Sequence, residues 1–306
     1  MKERVFIAEQ PYDIEVFRRR EAAPNAISII QPSHNALALT RLAIETIRRW
    51  TTVPYALWIV DNFSDQAVVD YLLAQPDINL ILNRTPIGGW TWKHWRGVSI
   101  PYPPRRDGWT RISGGGSFCN GLALELAAQC IDTRYAFVMH NDVLVLPGWL
   151  EFLRSKMSER VRGVAVSSDP TRVHAMHQSG FLFDCTLFKP LRMSFLPDLP
   201  MYDAGDLVTI RLREAGYAYA VCRNTFNQPE TVAWIREETL RAMYCDRVFN
   251  DDGEVIYLHL GRGTPKTVGT YQKPGKTSAE EWIRYGQRLL ALPEPNVAPY
   301  VTAERG

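Results

Sequence analysis

The sequence is poor in the features that mark secreted, membrane-spanning and nucleic-acid-binding proteins. It has five cysteines in 306 residues, an odd number with no Cys-x-x-Cys pair, which argues against a disulfide framework or structural zinc site and fits a reducing compartment. No run approaches the roughly 18 apolar residues of a transmembrane helix, and residues 1–20 show no apolar stretch typical of a signal peptide. The net charge of +2 is too small to indicate nucleic acid. We therefore expect a cytoplasmic protein that binds no nucleic acid.

What the sequence does contain is a regular alternation of strand and helix patterns. Its composition, 46% hydrophobic and 22% charged, is that of an ordinary globular chain. Short apolar runs predict strands at 27–31, 55–60, 78–82 and 135–139, and helical spacing predicts helices at 37–50, 66–74 and 118–130. This alternation is typical of βαβ units, so we expect an α/β fold with a mainly parallel central sheet flanked by helices.

The two ends of the chain are less regular. Residues 1–25 are interpreted as an N-terminal extension that packs on or near the domain, and residues 26–223 as the core. Residues 224–306 are predicted as a C-terminal region that completes the functional site of the core. Later patterns predict strands at 163–167, 180–183, 217–222 and 255–260, and helices at 207–215 and 278–292.

Polar clusters follow three of the predicted strands. These are Ser33-His34-Asn35, Asp61-Asn62 and His140-Asn141-Asp142. Strand-end turns are one explanation, since Asn and Asp bond their own backbone in turns. A ligand site is the other, because ligands in open α/β sheets lie outside the carboxyl ends of the strands. In a parallel sheet these ends share one edge, so we expect the clusters to converge.

Residues 88–116 break the alternation and form the most individual part of the chain. This segment is rich in Gly, Pro, Trp and Arg, has no clear period, and holds four of the nine tryptophans. A loop this long is usually functional or disordered. It could form a lid over a ligand site, a homodimer interface or a peripheral membrane contact, in that order of preference. The residues concerned are Trp90, Trp92, Trp95, Trp109, Arg105 and Arg106.

Five segments carry a further pattern in a fixed order. They are SIIQPSHNALALTRLAIETI, WIVDNFSDQAVVDYL, LNRTPIGG with the later FCNGLALELA, VMHNDVLVLPGWL, and YDAGDLVTIRLREAGY. Together they resemble the inverting glycosyltransferases of family 2, which have the GT-A fold, a Rossmann-like sheet flanked by helices. The resemblance spans about residues 26–222 and extends to His259. Each segment alone is a weak signal, and five in order are a specific one.

The resemblance implies a nucleotide-sugar site along the strand ends. An aspartate such as Asp61 can accept bonds from base N–H or ribose O–H groups, although a turn role is the alternative. Backbone N–H groups near Gly116 could approach a diphosphate. The residues implied in donor binding are Pro32, Ser33, Asn35, Asp61, Asn83, Gly116, Asn120 and Asn141.

The resemblance also implies a divalent cation, Mn²⁺ or Mg²⁺, that bridges the donor phosphates. Asp142 is the main candidate ligand, with His259 and His140 as further candidates. The family often has a second acidic residue where this chain has Asn141, which leaves metal dependence open. For both histidines, a hydrogen-bonded structural role is the alternative.

The acidic helix start in YDAGDLV resembles the segment that carries the catalytic base of the family. The base is assigned to Asp203, with Asp206 second, and Ala204 stands where the family usually has another aspartate. Such a carboxylate would deprotonate the acceptor hydroxyl. The alternative is helix N-capping, which is stronger for Asp206 than for Asp203.

The resemblance thus implies an inverting, metal-assisted glycosyltransferase that acts in polysaccharide or glycoconjugate biosynthesis. A UDP-sugar is the commonest donor class by analogy, and the acceptor could be a glycan, a lipid-linked molecule or a small molecule. A non-catalytic sugar-nucleotide- or glycan-binding relative is the main alternative. A nucleotidyltransferase is a third, but the chain lacks an early Gly-rich arginine loop.

Overall fold

The computed structural model describes residues 1–23, 25–86, 116–168, 173–198, 201–225, 232–267, 269 and 273–293, with the backbone of two strands at 91–95 and 98–102. The strands are β1 (Lys2–Ile7), β2 (Gln10–Phe17), β3 (Ile27–Ser33), β4 (Tyr55–Asn62), β5 (Asn79–Asn83), β6 (Thr91–Trp95), β7 (Val98–Tyr102), β8 (Tyr135–Met139), β9 (Val143–Val145), β10 (Val161–Ala165), β11 (Gly180–Asp184), β12 (Ala218–Val221), β13 (Arg223–Thr225), β14 (Asp246–Phe249) and β15 (Val255–His259). The helices are α1 (Leu37–Trp50), α2 (Gln66–Leu73), α3 (Gly116–Ala128), α4 (Trp149–Ser155), α5 (Asp206–Glu214), α6 (Glu238–Ala242), α7 (Gly263–Thr267) and α8 (Ala279–Ala291).

The central sheet has nine strands in the order β1-β2-β5-β4-β3-β8-β11-β10-β12. Strands β5, β4, β3 and β8 are parallel neighbours, and β10 is parallel to β12. Only β2 and β11 run against the other strands of this sheet. The predicted α/β fold with a mainly parallel central sheet is therefore confirmed.

The inner strands β3, β4, β5, β8 and β11 are buried on both faces of this sheet, as their continuous apolar runs require. On β3, Ile27 and Ile29 belong to one core and Ile30 to the other, because successive side chains point to opposite faces. Helices α1, α2, α4 and α8 contribute to the first core, and α3 and α5 to the second. The sheet is therefore the middle layer of the molecule.

The strand order reverses beside β3. From β3 the chain continues to β4 and then β5 on one side, whereas β8 lies on the other side. Ligands in open α/β sheets bind outside the carboxyl ends of the strands at such a switch point. The crevice between the ends of β3 and β8 is therefore the place in this fold that the topology favours for a ligand.

A second, antiparallel sheet connects the C-terminal region to this crevice. Its order is β13-β14-β15-β9. Strand β9 begins directly after His140-Asn141-Asp142, and its Val143 is in register with His259 of β15. This pairing joins parts of the chain that are far apart in sequence.

Two segments differ from their simplest sequence interpretation. The first 17 residues form a β1–β2 hairpin, and β2 pairs antiparallel with β5, so this segment extends the central sheet. Within residues 88–116 the sequence predicts only an irregular loop, whereas β6 and β7 pair as an antiparallel hairpin. Cross-strand pairing can form a hairpin without any helical or alternating apolar pattern.

Candidate metal centre and its surroundings

Three side chains that could bind a metal ion meet at the switch-point crevice. Asp142 Oδ1 lies 3.5 Å from His259 Nε2 and 3.8 Å from His140 Nδ1. The two imidazoles are in contact, with His140 Nδ1 at 3.2 Å from His259 Nε2. The structure thus brings together the three residues that the sequence predicts as metal ligands.

Local backbone geometry explains how Asp142 is held. The backbone N–H of Leu260 donates to the carbonyl oxygen of Asp142 at 2.9 Å, which continues the β9–β15 pairing. The N–H of Gly263, at the start of α7, donates to Asp142 Oδ2 at 3.0 Å. A Cβ on Gly263 would lie 2.5 Å from the Cβ of Asp142, so only glycine allows this approach. One carboxylate oxygen is therefore fixed and the other faces the histidines.

The donor set fits a divalent cation. Metal–ligand bonds of about 2.0–2.2 Å place neighbouring ligand atoms roughly 3.0–3.6 Å apart, close to the observed triangle of 3.2, 3.5 and 3.8 Å. Asp246 Oδ2 lies 2.9 Å from His259 Nδ1, which directs Nε2 toward the cluster, as in carboxylate–histidine–metal arrangements. Because two of the donors are imidazoles, the set suits Mn²⁺ better than Mg²⁺, which prefers oxygen ligands.

The surroundings shift the pKa values of the three side chains in different directions, so their charges differ. Burial alone would lower the pKa of His259, but the carboxylates of Asp142 and Asp246 outweigh it and raise that pKa to about 10. Burial, together with the neighbouring His259, lowers the pKa of His140 to about 3. Burial opposes the charge on Asp142, but His259, His140 and the Gly263 N–H hold its pKa well below the usual range. Without a metal, the cluster is therefore a His259–Asp142 ion pair beside a neutral His140.

A third histidine lies at the rim of the cluster and was not singled out by the sequence. The ring centroid of His177 is 6.1 Å from that of His140 and 6.2 Å from that of His259. The backbone N–H of Ser179 donates to His177 Nδ1 at 3.2 Å, so a neutral ring carries its proton on Nε2. Neither His177 nor Asp246 belongs to a recognisable motif, and only tertiary pairing places them here.

A chain of contacts leads from the cluster toward the predicted catalytic base. The side-chain nitrogen of Asn120 lies 3.4 Å from His140 Nε2 and donates to Gln178 Oε1 at 2.6 Å. Gln178 in turn lies beside Gly205, where an added Cβ would be 3.8 Å from the Gln178 Cβ. Gly205 has a φ of 82° and forms the turn that follows Asp203. The turn that follows Asp203 therefore lies beside Gln178.

The two candidate acids differ in accessibility. Asp206 is buried at the start of α5, and its carboxylate accepts the backbone N–H of Asp203 at 2.8 Å. Asp203 is half-buried, and its carboxylate accepts the N–H of Ala204 at 2.7 Å. The N-capping role that the sequence suggested for Asp206 is therefore wrong, because Gly205 is the N-cap and no side chain caps this helix; the Asp206 carboxylate holds the Asp203 backbone instead. Asp203 is the more accessible carboxylate.

The predicted donor-binding residues at the end of β3 form a hydrogen-bonded group. Ser33 Oγ lies 3.3 Å from Thr40 Oγ1, which accepts the side-chain amide of Asn141 at 3.1 Å. Pro32 precedes Ser33 within β3, in register with Val60. Asn141, which stands in the place of an acid, therefore donates to a hydroxyl through its amide.

The carboxylate of Asp61, at the end of β4, accepts hydrogen bonds from the turn that follows this strand. Asp61 is 1% exposed and accepts both the backbone N–H, at 3.0 Å, and the hydroxyl of Ser64. Burial raises the pKa of Asp61, although the Ser64 bonds oppose this shift. Asn35 binds the same turn, because its N–H donates to Ser64 Oγ at 3.0 Å and its Oδ1 accepts the N–H of Asp65 at 2.7 Å. Asp61 and Asn35 thus stabilise this turn, whatever else they bind.

The remaining predicted donor-binding residues lie on neighbouring elements. Asn83 is buried at the end of β5 and donates to Asn62 Oδ1 at 3.2 Å. Gly116 is exposed at the first position of α3. Trp90, Trp109, Arg105 and Arg106 fall outside the described residues, and of Trp92 and Trp95 only the strand position on β6 is described. The proposed roles of the insert therefore stay predictions.

Comparisons with known proteins give distant structural matches. A mannosyltransferase from Pyrobaculum calidifontis, in complex with GDP-Man and Mn²⁺, is 17% identical over 92% of this chain and 75% of that chain, with a TM-score of 0.44. Glucosyl-3-phosphoglycerate synthase from Mycobacterium tuberculosis, in complex with Mn²⁺ and UDP, is 13% identical over 64% of this chain and 69% of that chain, with a TM-score of 0.43. S. aureus TarS is 13% identical over 71% of this chain and 64% of that chain, with a TM-score of 0.40. No family model and no curated protein matches. Similarity at this level assigns neither an activity nor a ligand to this chain.

None of the helices in the described part of the chain is long and apolar enough to cross a bilayer.

Proposed function

We propose that the protein is an inverting glycosyltransferase that moves a sugar from a nucleotide-diphosphate donor to an acceptor hydroxyl. The observation that carries this proposal is the His140–Asp142–His259 cluster at the carboxyl edge of the sheet, beside the topological switch point. The fold favours this crevice for a ligand, and the cluster supplies the donors for a cation that would hold a diphosphate.

In this proposal, Asp142, His259 and His140 would hold Mn²⁺, and Asp246 would keep His259 in the required orientation. The bound cation would supply a Lewis acid for the charge that develops on the leaving phosphate. His140 is the most exposed of the three side chains, at 25%, so the open side of the cluster lies next to it. Arg262, close by in sequence, is a further candidate partner for phosphate.

Asp203 is the proposed base. The acceptor oxygen attacks the anomeric carbon as its proton moves to the Asp203 carboxylate. The bond between that carbon and the phosphate oxygen breaks, and the nucleoside diphosphate leaves with the electron pair. The half-buried position of Asp203, against the buried position of Asp206, supports this choice. Asp206 would position the turn by holding the Asp203 backbone.

A UDP-sugar is the first donor to test. Pro32, Ser33, Asn35, Asn120 and Asn141 would line the donor side of the crevice. The Trp- and Arg-rich insert is proposed as the acceptor lid, with a homodimer interface and a membrane contact as alternatives.

The decisive experiment is a thermal-shift panel of UDP, GDP, dTDP and CDP, each with Mn²⁺, with Mg²⁺ or without metal. A ligand that binds the folded state raises the melting temperature. We expect one nucleotide to stabilise the protein with Mn²⁺ and not with Mg²⁺ or alone, and Asp142→Asn to abolish the shift. Asp13→Asn is the matched control, since Asp13 is exposed and its carboxylate pairs with Arg4 on the surface hairpin. No shift from any nucleotide would refute the proposal.

Transfer itself is tested with Asp203→Asn, which should bind the donor as the wild type does and lose transfer. Binding without transfer in the wild type, over a broad acceptor panel, would favour the non-catalytic alternative. That alternative rests on Asn141, whose amide bonds Thr40 where an acid would face the metal.

A further inference from the structure

We propose that the ring of Phe63 is the stacking surface for the base of the bound nucleotide; this rests on the proposed function. Phe63 follows β4 and has a φ of 60°, in the left-handed region that bulky residues rarely occupy. Its side chain is 46% exposed, one of the few large apolar side chains on the described surface. A strained residue that presents an aromatic ring to solvent is an outlier that points to a functional role.

The turn that holds Phe63 is rigid. Asp61 accepts two bonds from Ser64, and Asn35 bonds both Ser64 and Asp65, so the ends of β3 and β4 together hold this backbone. An asparagine or glycine would adopt the same φ with little strain. The backbone therefore does not need a phenylalanine here, and the ring must be explained by what it contacts.

Phe63 follows a strand that lies close to the strand leading into the cluster. Strand β4 lies two strands away from β8, which is about 10 Å across the sheet. The rim between them is continuous, because the Thr264 hydroxyl donates to the His34 carbonyl at 3.2 Å and the adjacent Gly263 binds Asp142. A nucleoside diphosphate with its phosphates at the cluster would bring its base toward the end of β4.

The chemistry at the end of β4 favours stacking over hydrogen bonding. The Asp61 carboxylate is buried and already accepts two bonds, whereas Phe63 offers an exposed flat ring. Every nucleobase has a π-face, so an aromatic ring adds affinity without choosing strongly among bases. We therefore expect Phe63 to strengthen nucleotide binding and to contribute little to the choice between uridine and guanosine.

The test compares Phe63→Asn, Phe63→Trp and the control Phe6→Asn. Asparagine keeps the left-handed turn and removes the ring, tryptophan keeps a ring, and Phe6 is 65% exposed on β1 at an edge of the sheet. Calorimetric titrations with Mn²⁺ measure two ligands, the best-binding nucleoside diphosphate and inorganic pyrophosphate. We expect Phe63→Asn to weaken the nucleotide about tenfold and to leave pyrophosphate unchanged. Phe63→Trp and Phe6→Asn should bind the nucleotide as the wild type does.

The outcomes separate this inference from the proposed function. Unchanged nucleotide affinity in Phe63→Asn would overturn the stacking role and leave the transferase proposal standing. Equal weakening of nucleotide and pyrophosphate would also overturn it, because the variant would then have disturbed the turn and not a base contact. If the wild type binds neither ligand with Mn²⁺, the proposed function fails, and the stacking role fails with it.

Discussion

At the scale of single residues, two histidines in contact have opposite charge states. His259 is held protonated by Asp142 and Asp246, with a pKa of about 10, and His140 is held neutral, with a pKa of about 3. In an unfolded chain both would titrate near 6.5. Below that pH the folded cluster binds fewer protons than the unfolded chain, and above it the folded cluster binds more.

This difference predicts a maximum in the stability of the metal-free protein near pH 6.5. Below pH 6.5 the unfolded chain protonates His140, whereas folded His140 stays neutral down to about pH 3. Stability therefore rises with pH in this range. Above it, folded His259 keeps a proton that the unfolded chain has lost, so stability falls toward pH 10. We expect the melting temperature to fall from pH 6.5 to 8, below the ordinary range of cysteine and tyrosine titration.

Single substitutions of the two histidines test the rise and the fall of this pH profile separately. His259→Asn should remove the fall above pH 6.5, and His140→Asn should reduce the rise below it, whatever the absolute stability of each variant. Saturating Mn²⁺ should also remove the fall, because the ion displaces the His259 proton. A wild-type profile that is flat from pH 6.5 to 8 would contradict the ion pair.

A second residue-scale prediction concerns Asp246, which contacts the cluster only through His259. Asp246→Ala should lower Mn²⁺ affinity about 10- to 100-fold, because the imidazole loses the carboxylate that orients it. Electron paramagnetic resonance of free Mn²⁺ measures this affinity directly. Asp251→Ala is the control, since Asp251 is 75% exposed and pairs with Lys156. Equal affinity in the two variants would remove Asp246 from the site.

At the scale of elements, α7 determines where Asp142 can lie. A methyl group on Gly263 would meet the Asp142 Cβ at 2.5 Å and the Leu39 Cδ1 at 2.8 Å. We expect Gly263→Ala to destabilise the fold by about 1–3 kcal/mol through overpacking and to weaken Mn²⁺ binding by displacing Asp142. Chemical denaturation and the resonance titration check the two effects.

Gly116→Ala is the control for this prediction, because a Cβ there meets nothing within 4 Å at the start of α3. It should leave stability within about 0.5 kcal/mol of the wild type. If Gly263→Ala is as stable as Gly116→Ala and binds Mn²⁺ equally well, the close approach of α7 to Asp142 is not required.

Elements with a strong local pattern could be predicted from sequence. Helix α1 has the predicted bounds, since Leu39, Leu42, Ile47 and Trp50 form a buried stripe. Strand β10 begins at Val161, two residues before the predicted start at Gly163, because its pairing with β12 begins at Val161. Strand ends depend on partners that a local pattern does not contain.

At the scale of the whole molecule, the parallel sheet followed from the alternation of elements, and the shared edge of its strands predicted that the polar clusters would converge. The approach of His259 to Asp142 depends on β9–β15 pairing across more than 100 residues, which the sequence could suggest only by resemblance. His177 and Asp246 had no signal at all. The roles assigned to Asp61, Asp203 and the tryptophans stay predictions.

The N-terminal hairpin supports a whole-molecule prediction. Strand β2 covers the edge of β5, and its Tyr12, Ile14 and Val16 are buried in the core shared with α3. Deleting residues 1–17 would expose an apolar strand edge, so we expect a lower melting temperature and concentration-dependent aggregation. Light scattering during heating measures both. A monomeric deletion variant with the wild-type melting temperature would show that the hairpin is dispensable.

The β9–β15 pairing also sets an order of events during protein synthesis. His140 and Asp142 leave the ribosome more than 100 residues before His259, the strand partner that completes the cluster. Until β15 docks, Asp142 lacks both its charged neighbour and the N–H of Gly263. If the centre binds a cation as proposed, it can do so with all three side chains only after β15 has paired with β9.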